Sequence, residues 1–134
     1  MRKYAVLYEA WQMRCCGIPF AEGDRIKWLV CKVDLLNTAV DIGEIDYCYE
    51  AHSSEWNSLF MLEGRVKEIK ILYEEYMPSR DNLNLLVPVR GKLVKTQNAD
   101  GFDEKLDDMK ASAYIVQLDE CTIRPAKKEE VTFC

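Results

Sequence analysis

Residues 11–28 read WQMRCCGIPFAEGDRIKW, and the end of that run decides the fold. Gly23 and Asp24 make a turn. Residues 25–33, RIKWLVCKV, then alternate, with Ile26, Trp28 and Val30 on one parity and Arg25, Lys27 and Leu29 on the other. Period two is the spacing of a strand, because successive side chains leave opposite faces. One large aromatic among β-branched residues suits a small sheet covered on one side. Before the turn, Cys15-Cys16-Gly17-Ile18-Pro19 interrupts regular pairing through its Gly and Pro, and Phe20 is expected to face inward.

Working outward, residues 3–13 alternate loosely and are expected to form a first strand. Residues 34–40 have Asp34 ahead of Leu35 and Leu36, a candidate N-cap for a short helical turn. Residues 44–52 alternate cleanly, with Ile45, Tyr47, Tyr49 and Ala51 against Glu44, Asp46, Cys48, Glu50 and His52. In residues 53–62, Trp56, Leu59 and Phe60 stand at i, i+3 and i+4, which predicts one or two helical turns stopped by Gly64. Residues 65–76 form the longest strand candidate. Val66 is out of step with Ile69, Ile71 and Tyr73, and a bulge near Lys67 would turn it inward.

Residues 78–84 read as a loop. Residues 85–96 read as a strand, with Pro88 implying an edge position and Gly91 a bend. Residues 98–110 read as an acidic, turn-rich connector, and residues 113–118 as a last strand extended or ended by residues 122–125. Residues 126–134 form a charged tail expected to fray. Five or six short strands between turn signals predict one β-rich domain over residues 1–134: a small antiparallel barrel with short helical inserts. The succession GDRIKW, EGRVKEIKI and AYIVQLDECTIRP resembles that of SH3-like small barrels. That likeness concerns fold alone, since unrelated functions share such barrels.

A length of 134 residues with 49% apolar composition is enough to bury a core. The net charge of −5 counts against a dedicated nucleic-acid binder, whose affinity comes from Lys and Arg on phosphates. No apolar run approaches the roughly 18 residues of a membrane span. The opening residues, broken by Glu9, Gln12 and Arg14, read as a strand rather than a secretory leader. A cytoplasmic location is therefore expected, with all six cysteines as thiols.

The candidate site joins Cys15 and Cys16 to Cys48, Glu50 and His52. Residues two apart on a strand share a face, so Cys48, Glu50 and His52 would project together toward the Cys15-Cys16 turn. Three thiolates and an imidazole suit a tetrahedral zinc ion, so the metal set would be Cys15, Cys16, Cys48 and His52. No C-x-x-C pair is present, and cysteine is as often a small buried apolar group. Cys31, Cys121 and Cys134 fall to core or tail. A cysteine nucleophile, Cys16 or Cys48 with His52 and Glu50 or Asp46, is a further alternative that lacks a companion oxyanion-hole sequence.

Other motifs fail. A calcium loop at Asn98, Asp100 and Phe102 has Asp103 where glycine is needed. Arg90-Gly91-Lys92 lacks the rest of a P-loop. Trp11, Trp28, Trp56, Tyr47, Tyr49 and Tyr73 either line a groove or fill the core. Arg65, Lys67 and Lys70, balanced by Glu68, Glu74 and Glu75, read as a solvated face.

The opening resembles a family of small uncharacterised bacterial proteins classed as a domain of unknown function. The likeness rests on Trp11-Gln12, Cys15-Cys16-Gly17 with Pro19-Phe20, Gly23, Ile26, Trp28, Glu50, His52, Gly64, Val66 and Ile69. Ile26 stands where that pattern has valine, and one histidine stands where it often has two. The resemblance implies a bacterial source and no known activity. The expected function is a non-enzymatic module for a protein or small-molecule partner, binding through Trp11, Cys15, Cys16, Trp28, Glu50 and His52. The alternatives are a zinc protein and a cysteine hydrolase or redox enzyme.

Overall fold

The computed structural model describes residues 2–51 and 55–131. Strands β1 (Arg2–Glu9), β2 (Phe20–Ala21), β3 (Arg25–Lys32), β4 (Tyr47–Tyr49), β5 (Leu59–Pro78), β6 (Leu86–Thr96), β7 (Asn98–Ala99) and β8 (Lys110–Pro125) are joined by one helix, α1 (Ala10–Cys16), and two 3-10 turns, at Trp56–Ser58 and Lys128–Glu130. The main sheet runs β3-β4-β1-β8-β5-β6, and β3 also pairs with β5. That extra pairing closes five strands into a barrel and leaves β6 outside it. The expected small β-rich barrel is present, with one pairing, β1 with β4, parallel rather than antiparallel.

The 20 residues of β5 make the closure possible. Its first part pairs with β3, from Cys31↔Leu59 to Arg25↔Arg65. Its second part pairs with β6, from Ile69↔Thr96 to Pro78↔Leu86. Along its other edge β8 pairs from Phe60↔Pro125 to Glu74↔Lys110. The register slips between Val66 and Glu68, which is the bulge expected at Lys67. Val66, Ile69, Ile71 and Tyr73 are all buried as a result. Pro88 lies on β6, at the open end of the sheet order, where a missing N–H costs least.

Several expectations need correction. The first strand ends at Glu9 rather than residue 13, and α1 follows it. Ala10 and Met13, one turn apart, press the helix onto the barrel, and the Gly17 N–H closes it on the Gln12 and Met13 carbonyls. Residues 34–40 form no helix. The Asp34 carboxylate accepts from the N–H of Leu35, its immediate neighbour, so it caps nothing further along. The segment from Val33 to Asp46 is instead a strap that lays Val40, Ile42 and Ile45 over Leu7, Leu72, Ala113 and Ile115 on the outer face of the sheet. It rejoins the sheet at Asp46, whose N–H and carboxylate bond the Ala5 C=O and N–H.

The helical reading of residues 53–62 gives way to the single turn Trp56–Ser58, with Leu59 already in β5; residues 53 and 54 lie outside the described residues. Gly64 does not stop an element but sits inside β5, where a Cβ would fall 2.8 Å from Cys121 Sγ and 3.1 Å from the Asp119 carbonyl oxygen. The strand expected over residues 44–52 is only Tyr47–Tyr49, and β8 is far longer than residues 113–118. Glu74 is also not part of a solvated face. It is buried and accepts from the Ala39 N–H and the Tyr76 and Ser112 hydroxyls, pinning the strap.

Inside the barrel, Val6, Tyr8, Trp28, Val30, Leu62, Val66, Ile69, Tyr114, Val116 and Leu118 form one core. Tyr47 and Tyr49 pack against it, while Cys48 takes the outer face with the strap. Alternation along β4 is thus obeyed, but both of its faces are covered.

Candidate aromatic pocket

The turn between α1 and β3 is anchored at several points. Gly23 adopts φ +90°, a left-handed conformation that favours glycine. Its N–H donates to the Val66 carbonyl at 2.8 Å, and the Val66 N–H donates to the Asp24 carbonyl at 2.8 Å. These two bonds carry the β3–β5 ladder one step beyond its last pair, Arg25↔Arg65. The Asp24 carboxylate accepts from the Ala21 N–H at 2.9 Å, and β2 pairs with β7. Gly17 is needed for space: a Cβ there would lie 2.5 Å from Tyr8 Oη and 2.6 Å from Met13 Cα.

Gln12 ties α1 to the strand opposite. Its side chain is 1% exposed. Nε2 donates to the Tyr49 carbonyl at 3.2 Å, and Oε1 accepts from the Ala51 N–H at 3.1 Å. A side-chain amide thus stands in for a further strand just where β4 ends. On the other side of the helix, Arg14 donates to the Gly101 carbonyl, the Gly101 N–H donates to the Tyr114 hydroxyl, and that hydroxyl donates to the Asp103 carboxylate. Burial and the Asp103 charge hold the Tyr114 phenol well above its usual range. Part of the acidic connector therefore buttresses α1.

Between these supports lies a cavity of 360 Å³ lined by Tyr8, Cys16, residues 18–20, residues 24–28 and Tyr49. Its floor is aromatic. Tyr8 and Tyr49 stack at 3.8 Å, and Trp28 meets Phe20, Tyr8 and Tyr49 edge-on at 5.0, 5.2 and 6.0 Å. Such offset and T-shaped contacts each add about 0.5–1.5 kcal/mol beyond burial, so the floor is rigid. Burial and the neighbouring Tyr49 hydroxyl push the Tyr8 phenol far up, and it stays neutral. Arg25 and Lys27 also contribute to the lining beside Asp24, and the Arg25 guanidinium pairs with Glu120 at 3.5 Å.

Of the residues expected at a site, Cys16 and Trp28 meet here, together with Tyr49. Trp11 projects from α1, its indole N–H donating to Glu9 at 2.7 Å. Cys15 is exposed. His52 lies outside the described residues. Cys48 and Glu50 share a face, but Cys48 points to the outer side and stands directly across from Cys31. Among the described residues no three His, Cys, Asp or Glu side chains converge as a metal site.

Cys16 is disulfide-bonded. Disulfides persist in oxidising compartments, so this bond runs against the expectation of six thiols. Among the described residues no helix is long and apolar enough to cross a membrane. The sequence missed Tyr8, which shares the parity of the strand residues Tyr4 and Val6 and could have been found by it. Nothing in the sequence marks Gln12 as a buried joint.

The fold and cavity define the class: a small closed β-barrel with an aromatic pocket between its helix and one wall. The chain belongs to DUF6578, a family of unknown function, whose model matches residues 2–120. No curated protein matches the chain, and no solved structure does.

Proposed function

We propose that the protein is a non-enzymatic binding module whose partner, a small molecule or a side chain of another protein, seats in the pocket walled by Tyr8, Phe20, Trp28 and Tyr49. The observation that carries this reading is an aromatic floor in a cavity whose lining also includes the basic residues Arg25 and Lys27. Ligand sites are generally concave and apolar, with a few polar groups fixing orientation. A planar apolar body bearing a carboxylate matches these two parts. Peptide capture by an aromatic-lined groove, as SH3-like barrels perform it, is the macromolecular version of the same contact.

The test is a titration of isotope-labelled protein with aromatic carboxylates and with acidic peptides containing one aromatic residue. Saturable chemical-shift changes confined to residues 8, 16–20, 24–28 and 49, weakened about tenfold by Arg25→Glu with Lys27→Glu, support the reading. Saturable binding elsewhere on the barrel, or binding indifferent to both charge reversals, overturns it. Metal content measured by mass spectrometry on the same preparation, with and without reduction of the Cys16 disulfide, tests the alternative that Cys15, Cys16, Cys48 and His52 hold zinc.

A further inference from the structure

On the outer face of the barrel, away from the aromatic pocket, two cysteines oppose one another. The β3–β4 register pairs Val30 with Tyr49, Cys31 with Cys48, and Lys32 with Tyr47. The Glu50 N–H donates to the Leu29 carbonyl at 3.0 Å. Bonded pairs recur every second residue, so Cys31 and Cys48 occupy a hydrogen-bonded position, where Cα atoms stand about 5.5 Å apart. That separation is close to the commonest one in protein disulfides, roughly 5.5–6 Å. Both residues are thiols and both are partly accessible.

Their surroundings differ. Cys48 sits among Leu7, Ile42 and Ile45 beneath the strap. Cys31 opens onto a cavity of 430 Å³ that it lines with Lys32, Asn57, Ser58 and Phe60. Burial and the carboxylates of Glu50 and Glu9 raise both thiols, Cys48 to about 11, so neither is a fast nucleophile alone. Nearness therefore governs what the pair can do: once one sulfur is engaged, the other is already in place.

We propose that Cys31 and Cys48 form a redox-active cross-strand dithiol that closes to a disulfide by exchange with a low-molecular-weight disulfide. Cys31, reached through its cavity, loses its proton and attacks one sulfur of the incoming disulfide. The new bond is a mixed disulfide on Cys31, and the first thiolate leaves and takes up that proton. Cys48 then loses its proton and attacks the Cys31 sulfur. The Cys31–Cys48 bond forms, and the second thiolate leaves and is protonated in turn. Two protein thiols are oxidised, one external disulfide is reduced to two thiols, and no other reactant is consumed. The closed bond would fasten β3 to the three-residue strand β4, the shortest wall of the barrel.

The experiment incubates the native protein with oxidised glutathione, quenches in acid with excess alkylating reagent, and maps the tryptic peptides. Cleavage after Lys27, Lys32 and Arg65 puts Cys31 in WLVCK and Cys48 alone in the peptide of residues 33–65. The expected product joins these two peptides with the loss of two hydrogens. In Cys48→Ser, glutathione should persist on Cys31. In Cys31→Ser, Cys48 should be modified at least tenfold more slowly. A glutathione adduct persisting on Cys31 in the wild-type chain, or both residues recovered as alkylated thiols after prolonged oxidation, overturns the proposal. The wild-type measurement decides the matter even if a variant fails to fold.

Discussion

Replacing Gln12 by leucine keeps the bulk of a side chain that is 1% exposed but removes both of its polar atoms. The Tyr49 carbonyl loses a donor at 3.2 Å and the Ala51 N–H loses an acceptor at 3.1 Å, at part-buried positions. Leaving a buried polar group unsatisfied costs about 1–3 kcal/mol, so the pair should cost about 2–4 kcal/mol after relaxation. Gln12→Glu keeps the acceptor for Ala51 but turns a carboxylate oxygen toward the Tyr49 carbonyl. It should be worse than leucine at neutral pH. Burial would raise the folded pKa of such a glutamate above its unfolded value near about 4.3, so its stability is fully present below that value and is lost as pH rises through the folded pKa. Urea denaturation followed by tryptophan fluorescence, at pH 4.5 and pH 7.5, reads both effects. Faster hydrogen exchange at Ala51 should accompany Gln12→Leu. If leucine is as stable as glutamine, or if the glutamate variant gains nothing on acidification, Gln12 is not the joint described here.

Gly64→Ala drives a methyl to within 2.8 Å of Cys121 Sγ and should destabilise by about 1–3 kcal/mol, despite the gain in strand propensity. Combining it with Cys121→Ala should cost less than the sum of the two single changes in urea melts. Cys48, raised to about 11 by burial with Cys31, Glu9 and Glu50 nearby, should be thiolate in about one part per thousand at pH 8, against roughly a quarter for an ordinary thiol of pKa about 8.5. Its alkylation rate should climb about tenfold per pH unit up to pH 10, and a plateau near pH 9 would contradict the assignment. Glu130 is held down to about 2 by the Arg124 guanidinium and the Lys127 N–H. Any stability it lends is present above its unfolded pKa and is lost as pH falls toward 2. An NMR titration of Arg124→Ala should show its carboxyl returning most of the way to about 4.3.

The strands that read clearly from sequence are those in which one face is buried over several residues. β3 alternates because Trp28 and Val30 enter the core while Arg25 and Lys27 do not. The phase error at Val66 was readable as a bulge because three later residues fixed the inward parity. Helix α1 escaped because seven residues are too few to establish a 3.6-residue period, and two of its three buried residues, Ala10 and Gln12, continue the parity of Tyr4, Val6 and Tyr8. The i, i+3, i+4 spacing of Trp56, Leu59 and Phe60 misled for the opposite reason. It straddles a 3-10 turn and the start of β5, and Leu59 and Phe60 point to different sides of a strand. Gly64 looked like a terminator because the close approach of Cys121 comes from 57 residues downstream. At the site, Cys16 and Trp28 were legible through the turn between them. The Cys31–Cys48 pairing and the Gln12 joint depend on register and burial, which one sequence does not display.

The pairing of β1 with β8 has a consequence for how the chain reaches this state. Tyr4 stands opposite Leu118 and Glu9 opposite Ala113, so the main partner of the first strand lies more than a hundred residues away. Contacts this distant in sequence slow folding, because the loop must close before its contacts repay the lost entropy. During synthesis, β1 cannot form this ladder until residues 113–121 have left the ribosome. In the interval its regular partner can be only β4, three residues long and in parallel register. An exposed edge of that kind invites pairing with other chains, so the nascent barrel is most vulnerable to aggregation just before its last strand arrives.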